Sequence, residues 1–149
     1  MVEGLLAASS PSVRITERPD MARVAPLREA RMCYDHLAGR LGVAIAESFL
    51  KNEWAFLNGR DFSVSEKGRL YLTRCLNLDW EKVECSRRLF GRRCIDWSER
   101  KPHIGGVFGA ALARSFLERD WLRRSKESRC IYPTQEGRKR FYDFFKVHC

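Results

Sequence analysis

The chain has 149 residues, a hydrophobic fraction of 44% and a net charge of +9 from 28 basic and 19 acidic residues. That length suits one compact domain or two small ones packed together. No apolar run approaches the roughly 18 residues of a membrane-spanning helix, and Val2 to Ala8 is too short for a secretory signal, so no membrane or export segment is expected. The six cysteines form no Cys-x-x-Cys pair and read as reduced, in a cytoplasmic protein. The basic excess favours an anionic partner, nucleic acid first, although it also serves plain solubility.

Residues 1–25 begin apolar at Val2, Leu5 and Leu6 and turn polar at Ser9 to Ser12, a pattern for a helix end followed by a linker. Pro26 suits the first turn of a helix that Leu27 to Arg31 continue. Asp35 is placed to cap a helix running to about Asn52, with Leu37, Leu41, Ala44, Ile45 and Phe49 forming its buried stripe. After Trp54, the Asn58-Gly59 pair predicts a hairpin turn, and Ser65 caps a helix from Glu66 to Leu76. Asp79 to Cys85 reads as a short helix and Leu89 to Asp96 as extended chain. Pro102 then suits the first turn of another helix, striped by Ile104, Phe108, Ala111, Leu112 and Phe116. A second hairpin follows Trp121, tipped by Ser125 to Ser128, and Thr134 caps a last helix from Gln135 to Val147.

These elements occur twice because the sequence does. Residues 36–54 return as residues 103–121 with nine of nineteen positions identical, among them His36/His103, Gly39/Gly106, Gly42/Gly109 and Trp54/Trp121. Upstream, Arg31-x-Cys33-x-Asp35 matches Arg92-x-Cys94-x-Asp96, after which the second copy inserts Trp97 to Pro102. Downstream, Ser65-x-x-Gly68-Arg69 matches Thr134-x-x-Gly137-Arg138. A duplication of this clarity predicts a structural one. The expected fold is α+β: two tandem winged-helix-like repeats (helix, β-hairpin wing, helix) related by a pseudo-two-fold, with a leading helix end and linker at 1–25, repeat one at 26–78 and repeat two at 79–149.

Arg31-Met-Cys-Tyr-Asp-His-Leu-Ala-Gly-Arg-Leu-Gly42, Cys94 to Gly106, Trp121-Leu-Arg-Arg124 and Pro133-Thr-Gln-Glu-Gly-Arg138 resemble the C-terminal region of a subgroup of ArsR-like bacterial transcriptional regulators. The resemblance covers roughly residues 25–146. It implies a winged helix-turn-helix that reads DNA ahead of this region. The chain shows no counterpart, and Met1 to Ala8 resembles the end of that domain's closing helix. The expected function is therefore effector sensing or dimer shaping in a regulator, as a homodimer, with DNA bound through a missing or separate N-terminal domain.

The candidate chemistry follows the repeat. Cys33, His36, Cys94, Asp96 and His103 are residue types that ligate zinc and soft thiophilic ions, and the duplication can bring both sets together at the seam. A thiophilic metal or metalloid ion is the candidate cofactor, with no cofactor certain. Against it, neither set has the tight spacing of a zinc knuckle, and histidines at helix starts with small buried cysteines explain the same residues. Gly39, Gly42, Gly106 and Gly109 lie along one helical edge and suit close packing of the repeats, at about 1 kcal/mol each in helix propensity. Arg123, Arg124, Lys126 and Arg129 at the second hairpin can lie along nucleic-acid phosphates, and the alternative reading is a winged-helix module that binds nucleic acid directly with its basic wings. No nucleophile elbow surrounds Ser48 or Ser115, and no carboxylate pair is spaced for acid–base work, so no enzymatic activity is expected.

Overall fold

The computed structural model describes residues 21–149, so the expected helix end and linker lie almost wholly outside the described residues. After α1 (Met21–Glu29), the first copy runs β1 (Arg31–Cys33), β2 (His36–Ala38), α2 (Gly39–Lys51), β3 (Ala55–Asn58), β4 (Asp61–Val64) and α3 (Glu66–Leu76). A short α4 (Trp80–Glu84) leads into the second copy: β5 (Arg92–Ile95), β6 (Pro102–Gly105), α5 (Gly106–Glu118), β7 (Leu122–Arg124), β8 (Ile131–Pro133) and α6 (Gln135–Phe145). The fold class is α+β. Among the described residues no helix is long and apolar enough to cross a membrane.

Each copy opens with a hairpin whose second strand occupies what the apolar spacing predicts as the start of a helix. Asp35 and Pro102 do not start helices: His36–Ala38 and Pro102–Gly105 are strands, and the helices begin at Gly39 and Gly106. Both glycines hold positive φ, +82° and +72°, which breaks the chain sharply from strand to helix. A Cβ on Gly106 would sit 2.7 Å from the Leu89 carbonyl oxygen, so the turn is also crowded. Pro26 lies inside α1 instead of at its first turn, because that helix already begins at Met21. The missing N–H costs α1 one internal bond. In the first long hairpin Asn58 pairs with Asp61, so the turn residues are Gly59-Arg60 and only Gly59 takes positive φ. That matches a turn with glycine at its first central position.

Both closing helices start alike. The Ser65 hydroxyl accepts from Gly68 N–H at 2.9 Å and donates to the Glu53 carbonyl at 2.6 Å. The Thr134 hydroxyl accepts from Gly137 N–H at 2.9 Å and donates to the Asp120 carbonyl at 2.6 Å. These caps satisfy helix-end donors and tie each helix to the residue before its tryptophan.

The sheets are shared between copies. Hairpin β3–β4 continues onto β5–β6 in one four-stranded sheet, joined by Phe62 N–H to Gly91 O at 3.1 Å and Arg93 N–H to Arg60 O at 2.7 Å. At the matching positions of the other sheet edge, Ile131 N–H donates to Ala30 O at 3.1 Å and Met32 N–H to Arg129 O at 2.9 Å, around an Arg31–Cys130 bridge. The long hairpin of each copy thus pairs with the short hairpin of the other.

A second exchange ties the long helix of each copy to the last helix of the other. Ser48 donates to the Phe145 carbonyl at 2.6 Å, and Arg119, held by Ser115 at 3.3 Å, donates to the Leu76 carbonyl at 2.6 Å. Each contact satisfies a C-terminal carbonyl on the other copy's last helix. Between them lies one aromatic core: Phe49 meets Phe145 and Phe108, and Phe116 stacks on Trp121. Burying such rings supplies most of the apolar stabilisation.

Candidate functional site

The short hairpins carry the site. In β1–β2, Cys33 and His36 are direct cross-strand partners; in β5–β6, Cys94 and His103 are. Direct partners project from the same face with Cβ atoms about 5 Å apart. Each hairpin therefore presents one thiol beside one imidazole. The hairpins face each other at the seam, so the four ligand atoms lie within 4.8 Å of one another. The thiols approach to 3.9 Å and the two Nε2 atoms to 3.1 Å. The long stretch between Cys94 and His103, misleading as a ligand spacing, vanishes once the inserted residues loop out of the hairpin.

Burial sets the charge states. It lowers the His36 pKa, with Asp35 offsetting part of the effect. His103 is completely buried, and burial together with the neighbouring His36 lowers its pKa to about 4. Burial also raises the Cys94 thiol, with Cys33 adding to the rise. Without a bound cation the imidazoles are neutral near pH 7. Cys33 is only half-buried and lines a surface cleft with Tyr34, Ser125 and Ser128, a route by which small solutes reach the sulfur.

Asp96 does not join the four. It is fully buried, and its oxygens accept from Arg31 at 2.7 Å, Gly39 N–H at 2.8 Å, the Ser98 N–H and hydroxyl at 3.0 and 2.5 Å, and Glu99 N–H at 2.8 Å. Burial alone would raise this carboxyl; the Ser98, Gly39 and Glu99 donors and the Arg31 charge outweigh it and hold it well below the usual carboxylate range. Arg31, itself 1% exposed, also lies under the Trp97 ring at 4.4 Å. The sequence gives Arg-x-Cys-x-Asp twice, and the structure pairs the first copy's arginine with the second copy's aspartate. Arg92 stays exposed, and Asp35 pairs instead with Arg88 at 2.7 Å. The sequence offers Asp35 as the partner of Arg31 and Trp97 as the mouth of a pocket between the copies; Arg31 pairs with Asp96 instead, under the Trp97 ring, and Ser98 is the part of the site it does not point to. The doubled Arg-x-Cys-x-Asp motif is the available signal for the Arg31–Asp96 pair.

The repeat glycines line the same seam. A Cβ on Gly42 would meet the Leu37 carbonyl at 2.5 Å and His103 Cβ at 3.7 Å; on Gly109, the Ile104 carbonyl at 2.1 Å and His36 Cβ at 3.2 Å. The close approach is of helix to strand and to the other copy's histidine, where the sequence had suggested helix against helix. Gly39 and Gly106 serve the strand-to-helix break. Arg123, Arg124, Lys126 and Arg129 are all exposed around the second long hairpin, with Arg123 paired to Asp120 at 2.8 Å.

No protein-family model matches the chain, and no solved structure matches it. Over 147 residues, 99% of this chain, it is 36% identical to a protein of Bacillus subtilis (strain 168) named as an uncharacterized HTH-type transcriptional regulator, YdfF. The chain spans 64% of that relative's length.

Proposed function

We propose that this chain is the effector-sensing, dimer-shaping region of a cytoplasmic, ArsR-like transcriptional regulator, non-enzymatic, and built from two winged-helix-like copies related by an approximate two-fold. The name of the YdfF relative supports a role in transcription. The exchanged sheet pairing, repeated at matching positions, supports the two-fold. One observation carries the sensing role: the Cys/His cluster takes two side chains from each copy. A ligand held there touches both copies, so its affinity depends on how they pack, and only such a difference can shift a conformational equilibrium. Base reading is assigned outside these copies. The helices in the recognition position, α2 and α5, turn Leu41, Ile45 and Phe49, and Phe108, Leu112 and Phe116, into the core, and offer few donors to base edges.

The exposed basic residues around β7–β8 favour a second reading, direct contact with nucleic-acid phosphates. A gel-shift series with this chain and random duplex DNA at rising salt separates the two. The effector reading expects no shift even at about 50 mM salt, whereas salt-sensitive binding favours the basic hairpin. The regulator reading is tested by transcript levels in cells with and without the gene; an unchanged transcriptome overturns it.

A further inference from the structure

Packing accounts for the burial of His36 and His103 but not for their protons. Their Nε2 atoms face each other at 3.1 Å. Each Nδ1 lies near a carboxylate oxygen: Asp35 at 3.4 Å from His36, Asp96 at 3.5 Å from His103. The His103 Nδ1 is buried and makes no well-formed hydrogen bond. A neutral imidazole has one proton to place. With both protons on Nδ1, toward the carboxylates, two Nε2 lone pairs point at each other in a buried space. With one proton moved between the Nε2 atoms, the ring that gave it up sets a bare Nδ1 lone pair against a carboxylate. Every neutral arrangement opposes two acceptors somewhere, which is costly in a low-dielectric interior. A cation between the Nε2 atoms removes the conflict, and it leaves both Nδ1–H groups aimed at carboxylates, as in histidines that ligate metals.

The thiols complete the set. Tetrahedral bonds of the usual zinc lengths put two sulfurs about 3.8 Å apart and two nitrogens about 3.3 Å apart. The observed separations are 3.9 and 3.1 Å. Two sulfurs and two imidazoles favour a borderline or soft ion and not magnesium or calcium. A Cys33–Cys94 disulfide would use the sulfurs and leave the histidine conflict standing.

We propose that Cys33, His36, Cys94 and His103 bind one four-coordinate transition-metal ion of the zinc(II) class, two ligands from each copy. The ion clamps hairpin β1–β2 to hairpin β5–β6, so metal binding and the packing of the copies are one equilibrium. Its regulatory meaning rests on the effector reading above; the coordination chemistry does not.

The test uses the full chain, reduced, stripped with a chelator and titrated with cobalt(II). The expected result is one cobalt ion per chain, the intense visible bands of a four-coordinate ion, a thiolate charge-transfer band, and bleaching by equimolar zinc(II). Cys33→Ser and Cys94→Ser each lose at least tenfold in affinity and part of the thiolate band. If those variants fail to fold, alkylation of the unaltered protein decides. Zinc should shield Cys33 and Cys94 while the exposed Cys85 and Cys149 stay reactive. A weak six-coordinate spectrum without a thiolate band, equal alkylation with and without zinc, or a Cys33–Cys94 disulfide in a protein that takes no metal overturns the proposal. A chain that binds cobalt but leaves every transcript unchanged refutes the regulatory reading alone.

Discussion

The two copies place an aspartate at the same point of the same motif and use it in opposite ways. Asp35 keeps 29% side-chain exposure, pairs with the exposed Arg88 and touches His36 at 3.4 Å. Asp96 is fully buried and holds Arg31 of the other copy, the first N–H of α2 and the loop that follows it. The difference traces to Trp97–Pro102, present only in the second copy. That insertion brings the Ser98 and Glu99 donors to the carboxylate and the Trp97 ring over Arg31. A buried carboxylate persists only when its lone pairs are filled. The insertion therefore converts a surface aspartate into an anchor of the seam.

The largest expected effect breaks this contrast. Asp96→Ala strands the buried Arg31 guanidinium and should cost about 3–5 kcal/mol, whereas Asp35→Ala should cost no more than about 1 kcal/mol. Urea denaturation of both variants checks it, and equal losses would mean that the insertion does not matter. Next is pH. In the metal-free protein the folded pKa of His103, about 4, lies below its ordinary 6.5. The unfolded chain therefore binds the proton more readily, and stability should fall as pH drops from about 6.5 to about 4, by no more than about 3 kcal/mol. His103→Gln should flatten that slope in a pH series of urea midpoints. His36→Gln should flatten it less, because His36 keeps some exposure and a closer carboxylate.

The smallest effects sharpen the comparison where the copies agree. A Cβ on Gly68 would sit 2.0 Å from the Trp54 carbonyl and one on Gly137 1.9 Å from that of Trp121. Alanine at either site should cost about 1–3 kcal/mol by overpacking. Ser65→Ala and Thr134→Ala should each cost about 1 kcal/mol in lost capping. Matched losses within each pair, read from thermal melts, support structural equivalence of the closing helices; a loss confined to one copy refutes it.

What could be read from the sequence was local. Asn58-Gly59, the two tryptophans and the Ser65 and Thr134 caps located the long hairpins and last helices, because those signals act within a few residues. The short hairpins carry no such signal because they are only three or four residues a strand and run directly into helices. The breaks depend on glycine φ values, which apolar periodicity does not carry. The candidate ligands were legible as repeated Cys and His, but their convergence depends on cross-strand register and on pairing between distant copies. Asp96 looked like a ligand because carboxylates are ligands. Its commitment to Arg31 depends on a partner far away in the chain.

The shared sheets bear on how this chain acquires its structure. β1 is made well before the chain that extends its sheet, around Cys130. During synthesis the leading half therefore carries an open strand edge, a surface prone to pairing with other chains. Contacts between such distant segments also slow folding, since a long loop must close before they form. Separating the copies by cutting after residue 78 would leave each fragment with unfinished edges, so the pieces should assemble with one another or aggregate instead of folding independently.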